Sequence, residues 1–277
     1  MRQGFFEAAR DCLALSEPEE KCRAVLAFAG TAQSEDFLWD TDCPVETIKS
    51  PGRPPRPKLV DPARVPRRRL GSLEGRAALV HAIAHIEFNA INLALDAAYR
   101  FRDMPPRYYF DWLSVAADEA RHYRLLATRL AAMGHAYGDF PAHNGLWEMA
   151  EKTAGSCLVR MALVPRVLEA RGLDVTPGMI ERLTAVGDDE TVAALEVILA
   201  EEVRHVEIGT RWFRHCCKNE GREPMETFLG LLHEHYRGLP RGPFNLDARY
   251  RAGFTVEEMD ALTAGVEGVS TSARPFC

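Results

Sequence analysis

The chain has 277 residues, an apolar fraction of 47% and a formal net charge of -6. That length suits one large domain or one domain with extensions, and the acidic balance excludes a general nucleic-acid-binding surface while leaving room for a local basic patch. Seven cysteines without a C-x-x-C pair fit neither a disulfide framework nor a zinc–thiolate pattern, so thiols in a reducing cytoplasm are expected.

The first residues carry Glu7, Arg10 and Asp11 and no long apolar run, unlike a secretory signal. No stretch approaches ~18 consecutive apolar residues, so no membrane-spanning helix is expected. Residues 3–30 read as one or two short helices, with Ser16 as an N-cap ahead of Glu17, Glu19 and Glu20. Residues 31–50 lack a clear period. Residues 51–69 are rich in proline and arginine and hold seven basic side chains against one acid, Asp61. Proline removes backbone donors and forbids regular helix, so this stretch reads as an extended strap or as a contact for an anionic partner.

From Ser72 the period becomes helical. Ser72 caps a run with Leu79, Ile83, Ile86, Ala90, Leu93, Ala94 and Ala97 on its apolar positions, ended by Pro105 and Pro106. A second run holds Trp112, Val115, Ala116, Tyr123, Leu126 and Leu130 and closes at Gly134. A third helix is expected from Gly145 to Arg171 with Gly172 just past its end, then a short helix over 177–186. Asp188 and Asp189 start a fourth long helix reaching Lys218. After Gly221 the sequence predicts a helix over 223–238, an interrupted segment over 240–254 and a last helix from Thr255. No strand-like alternation is sustained, and the fold class is all-α.

Two short stretches share one pattern. Asp118-Glu119-Ala120-Arg121-His122 and Glu201-Glu202-Val203-Arg204-His205 both read acid-Glu-x-Arg-His inside predicted helices. Positions i and i+3 share a helix face, so each copy aims a carboxylate and an imidazole at one point. A lone Glu-x-x-His is common on solvated helix faces; two copies with the same flanks are not. Each copy also has an upstream glutamate on the preceding helix: Glu87 lies 32 residues before Glu119, and Glu169 lies 33 before Glu202. The halves repeat one plan, a helix with Glu followed by a helix with Glu-x-x-His, which is the arrangement that binds paired metals inside helical bundles. Four converging glutamates without a cation would repel one another and raise their pKa values. Mixed carboxylate and imidazole donors suit Fe and Mn better than Mg or Ca.

Around these six candidate metal ligands, Asp118 and Glu201 are candidates to orient an imidazole by accepting its second N–H, and Arg121 and Arg204 to pair with those acids. His81 and His85 form an i,i+4 pair, but His85 lies two residues from Glu87 and points to another face, so both read as non-ligands. His143 reads as a loop histidine. Tyr109, Trp112 and Tyr123 read as core. Pro165, four residues before Glu169, removes the bond to the Met161 carbonyl and is expected to kink its helix.

These residues resemble the ferritin-like superfamily of carboxylate-bridged di-iron proteins, and more closely its domain of unknown function family 455. The resemblance rests on His85-Ile-Glu-Phe-Asn-Ala-Ile-Asn-Leu, Asp118-Glu-Ala-Arg-His, Glu169-Ala-Arg-Gly-Leu-Asp, Glu201-Glu-Val-Arg-His-Val and the tail Arg241-Gly-Pro-Phe-Asn-Leu-Asp-Ala-Arg. It implies a four-helix core over 72–220, with an N-terminal helical extension over 1–50, a linker or strap over 51–71 and a C-terminal helical extension packing on the bundle over 221–277. It implies two metal ions, iron first and manganese second, with Glu119 and Glu202 bridging or flanking both, Glu87 and Glu169 as terminal carboxylates, and His122 and His205 supplying one imidazole each. It further implies oxygen-activating oxidoreductase chemistry of the hydroxylase or oxygenase type. The partners would be dioxygen, a small-molecule or tRNA substrate and an electron-donor protein, with a homodimer as one form of assembly. Two alternatives stand beside it: a ferroxidase or iron-handling protein, and a non-catalytic bundle stapled by metal.

Overall fold

The structure is a computed structural model that describes residues 4–31, 38–39, 44–65, 69–236 and 239–267. Cys43, Cys277, Arg67 and Arg68 lie outside these residues. Among the described residues every extended regular element is helical, and the chain divides into two compact units, 1–152 and 153–277. Cys12, Cys22, Cys157, Cys216 and Cys217 form no disulfide.

The first unit is built on a hairpin of two long helices, α3 (Leu73–Arg100) and α4 (Pro106–Ala132). The Ser72 hydroxyl caps α3 by accepting from the Gly75 N–H at 3.1 Å. Ala77, Ala84, Ala94, Ala97 and Ala98 keep the α3 surface small where it packs in the core. Among the described residues, α3 is the one helix long and apolar enough to cross a membrane, with a stretch of mean hydropathy 1.3, but 78% of that stretch is buried inside the protein. It is a core helix.

α1 (Phe5–Ala14) and α2 (Pro18–Thr31) lie against this hairpin. The cap of α2 is Glu17 rather than Ser16, because its carboxylate accepts from the Glu20 N–H at 2.7 Å and Pro18 takes the first helical position. Phe5, Phe6, Trp39, Tyr109 and Phe110 make one aromatic cluster that fixes α1 to the start of α4. Lys21 is fully buried, and its ammonium donates to the Leu13 and Gly52 carbonyls and to Asn92 Oδ1, stapling α1, α3 and the chain at Gly52.

The proline-rich stretch runs alongside α5 (Gly145–Lys152) and the loop before it. The Val60 N–H donates to the Ala142 carbonyl at 2.8 Å and the Ala142 N–H to the Lys58 carbonyl at 3.1 Å. Trp147 Nε1 donates to the Lys49 carbonyl, and Arg53 to Asn144 Oδ1. Arg53, Arg56, Lys58, Arg64 and Arg69 stay exposed.

The second unit opens with α6 (Cys157–Leu163), a π-helical turn (Val164–Glu169) and α7 (Ala170–Thr184), which follow one another without a break. The sequence predicts a single helix over 145–171 that stops at Gly172; the structure differs at both ends. Residues 153–156 interrupt it, and the Ser156 hydroxyl caps a fresh start by accepting from the Val159 N–H. At the far end the helix runs through Gly172 and Pro177. Proline at 177 withholds a donor from the Leu173 carbonyl, and Asn245 Nδ2 supplies one at 3.2 Å. A long-range partner therefore repairs a break that local sequence predicts.

α8 (Asp189–Asn219) starts at Asp188, whose carboxylate accepts from the Thr191 N–H at 3.2 Å. It packs along α6, the π turn and α7. α9 (Pro224–Tyr236) and α10 (Leu246–Arg251) follow, and α10 occupies part of the segment that reads as merely interrupted. α11 (Val256–Glu267) begins with a reciprocal cap: the Glu258 N–H donates to Thr255 Oγ1 at 3.1 Å and the Thr255 N–H to Glu258 Oε2 at 2.9 Å.

Candidate metal centre

In the first unit α3 presents Glu87 and α4 presents Glu119 and His122. All three are buried, exposing 4%, 1% and 1%. The helical i,i+3 spacing places Glu119 and His122 on one face, and the pairing of α3 with α4 sets Glu87 opposite them. His122 Nδ1 lies 3.3 Å from Glu119 Oε2 and 3.4 Å from Glu87 Oε2. One donor atom from each residue falls within 4.8 Å of the others, so the three could hold a metal ion. Burial penalises an imidazolium at position 122, yet hydrogen bonds to Glu119 and Glu87 outweigh it and push its pKa up to about 11. Two carboxylates enclosed with little water thus draw a positive charge to the point between them, from a proton or from a cation.

The second unit repeats the helix-face geometry. Glu202 and His205 on α8 are both buried, and His205 Nδ1 lies 3.3 Å from Glu202 Oε1. Glu169, half-buried, is the last residue of the π turn that packs on α8. A π turn adds a residue to the helical circuit and rotates the side chains beyond it. Pro165, where the sequence predicts a kink, stands near the start of this π turn. The turn fits against α8 because α8 carries glycine at 209: a Cβ there would stand 2.2 Å from Pro165 Cβ and Cγ.

The residues flanking the repeats match as well. Asp118 and Glu201 are half-buried, and Arg121 and Arg204 are exposed. Arg121 Nη2 pairs with Asp118 Oδ1 at 2.7 Å.

His81 and His85 serve the loop after α4. Burial pushes both imidazoles down to about 4, so they are neutral. His81 Nε2 accepts from the Gly138 N–H at 2.9 Å. His85 has its Nε2 2.9 Å from the His143 carbonyl, the only role there being donation, which leaves Nδ1 to accept from the Tyr137 hydroxyl at 2.8 Å. Tyr109, Trp112 and Tyr123 are buried in the core.

Sequence reasoning missed a set of buried charges in the second unit. Arg166 pairs with Glu258, and Arg249 with Asp174; all four expose 6% or less. A signal existed for one of them, since Arg166 sits in the apolar run Val164-Pro-Arg-Val-Leu168, but its partner lies 92 residues away.

The chain matches the family described as protein of unknown function (DUF455) over residues 14–260. It is 43% identical over 270 residues to a protein of Haemophilus influenzae described as uncharacterized, a match covering 92% of each chain. No solved structure matches it. With agreement over nearly its whole length, the chain belongs to the DUF455 family.

Proposed function

We propose that the chain is a ferritin-like dimetal carboxylate protein that activates dioxygen as an oxidoreductase. The observation that carries this reading is the recurrence of one buried arrangement: in each unit an i,i+3 Glu–His pair lies with imidazole nitrogen and carboxylate 3.3 Å apart, at 119/122 and at 202/205. A second acid precedes each pair, Glu87 and Glu169. Solvated surface pairs have no reason to be buried twice in the same pattern, because burying a carboxylate is costly unless a cation or donors compensate it.

The donor chemistry supports two ions of the iron or manganese type, with Glu87, Glu119, His122, Glu169, Glu202 and His205 as their donors. When bound, such ions would supply the electrons that reduce dioxygen. The chain's own part is to hold the carboxylates and imidazoles in place and to keep bulk water out, which the burial of Glu87, Glu119, His122, Glu202 and His205 supports. Asp118 and Glu201 would orient the imidazoles and keep them basic.

The test is anaerobic reconstitution with Fe(II), followed by metal analysis and oxygen-uptake measurement. About two ions per chain and oxygen consumption are expected. Failure to retain iron, or iron retained equally by a Glu119→Ala/Glu202→Ala variant, would defeat the proposal. Iron retained with no oxygen consumption would leave a metal-stapled bundle and defeat the oxidoreductase half.

A further inference from the structure

The buried charges of the second unit converge on the two sides of Glu169. Arg166 lies three residues before it on the π turn, and its Nη2 donates to Glu258 Oε1 at 2.5 Å. Asp174 lies five residues after it on α7. Its carboxylate accepts from Arg249 Nε at 2.9 Å, Arg249 Nη2 at 2.7 Å and the Asn245 N–H at 3.0 Å. Asn245 also donates to the Leu173 carbonyl, the one Pro177 leaves without its helical donor.

All the partners come from residues 244–258, and they are tied to each other. Phe254 lies between the two guanidinium groups, 4.6 Å from that of Arg166 and 4.9 Å from that of Arg249. Glu258 holds Arg166 with one oxygen and caps its own helix with the other. Asn245 caps α10 through its side-chain oxygen while gripping α7 through its nitrogens. Phe213 and Phe228 cover the rest of the Arg166 guanidinium.

A π turn is a less favourable geometry than α-helix and persists where surroundings impose it. Here one side is set by the Pro165 ring against Gly209 and the other by the Arg166–Glu258 pair. We propose that residues 244–258 form a clamp whose task is to hold the π turn, and that Arg166, Asp174, Arg249 and Glu258 are positioning residues for Glu169. The clamp's role in metal binding rests on Glu169 being a ligand as proposed above; its role in holding the turn does not. Residues that orient a ligand from outside its coordination sphere change metal affinity by about 10- to 100-fold when removed, and a ligand-bearing segment must be fixed to within about 0.5 Å to bind well.

The experiment uses the full chain with Glu258→Gln, and with the paired Arg166→Met/Glu258→Met change, which removes the half of the clamp that holds the π turn directly without leaving a buried charge unmatched. Two readouts are taken on each. Amide hydrogen exchange on the metal-free protein should accelerate on the order of tenfold over residues 164–174 while α3 and α4 keep their protection. Titration with Co(II), followed by visible absorption, should show one ion bound as in the wild type and a second weakened by about tenfold or more, with an altered spectrum. Unchanged exchange over 164–174 in a folded variant overturns the clamp. Accelerated exchange with both cobalt ions bound as in the wild type overturns its positioning role. If the wild type itself binds no cobalt, the dimetal reading falls, and the exchange result still decides whether 244–258 holds the turn.

Discussion

Glycine 209 offers the sharpest test of how the second unit is packed. In an exposed helix interior, Gly→Ala stabilises by about 1 kcal/mol, because alanine has less backbone freedom to lose. At 209 the added Cβ would stand 2.2 Å from both Cβ and Cγ of Pro165. Carbon atoms rest about 3.5–4.0 Å apart, so α8 and the π turn would have to separate by about 1.5 Å at this level. The obstacle is a proline ring attached to backbone and has no rotamer to swing away. Overpacking of this kind costs about 1–3 kcal/mol, and a rigid obstacle points to the upper end. After the helix gain, Gly209→Ala should be destabilised by about 2 kcal/mol. Gly230 in α9 is the matched control: it is exposed, and a Cβ there meets nothing within 4 Å. Gly230→Ala should therefore gain up to about 1 kcal/mol. Urea unfolding of both variants beside the wild type measures the two changes. A Gly209→Ala protein as stable as the wild type would refute the close approach, and with it the account of why the π turn sits where it does.

Two further outcomes follow from buried charges. Burial pushes the Lys21 ammonium down to about 7, against about 10.4 in an unfolded chain. Between these values the unfolded state holds more protons, so the burial penalty present below about 7 is relieved as pH rises, by up to about 1.4 kcal/mol per pH unit. Urea unfolding at pH 7.5 and 9.0 should show this rise in the wild type and not in Lys21→Met; the same slope in both would contradict it. Asp174→Asn leaves the buried Arg249 without its counter-charge and should cost about 3–5 kcal/mol. Asp247→Asn, which disturbs only an exposed pair with Arg251, should stay within about 0.5 kcal/mol; equal costs in the two unfolding curves would show that burial of the Asp174 pair does not matter.

Local signals that depend on neighbours in sequence were legible. Ser72, Asp188 and Thr255 each mark a helix start, and each caps it in the structure. The faces of Glu119/His122 and Glu202/His205 follow from helical spacing alone, because i and i+3 must lie together on an α-helix whatever surrounds it. Ser16 failed as a cap because Glu17 beside it, with Pro18 next, competes for the same donors and wins. Gly172 failed as a helix end because a glycine merely permits a turn and does not impose one.

The remaining features were decided by groups distant in the chain. α7 continues past Pro177 because Asn245, 72 residues from Leu173, returns the missing donor. Arg166 is tolerated in an apolar run because Glu258 and three phenylalanines come to meet it. Sequence by itself determined the all-helical class, the placement of most helix starts and the repeated Glu and Glu-x-x-His pattern, since each depends on backbone geometry over a few residues. Only the tertiary structure decided that a π turn falls at Pro165 and Glu169, that Glu87 meets His122, and that residues 244–258 bind Arg166 on that turn and Leu173 and Asp174 on α7 beyond it, because a buried charge or an unmet carbonyl is satisfied by whichever partner the fold delivers.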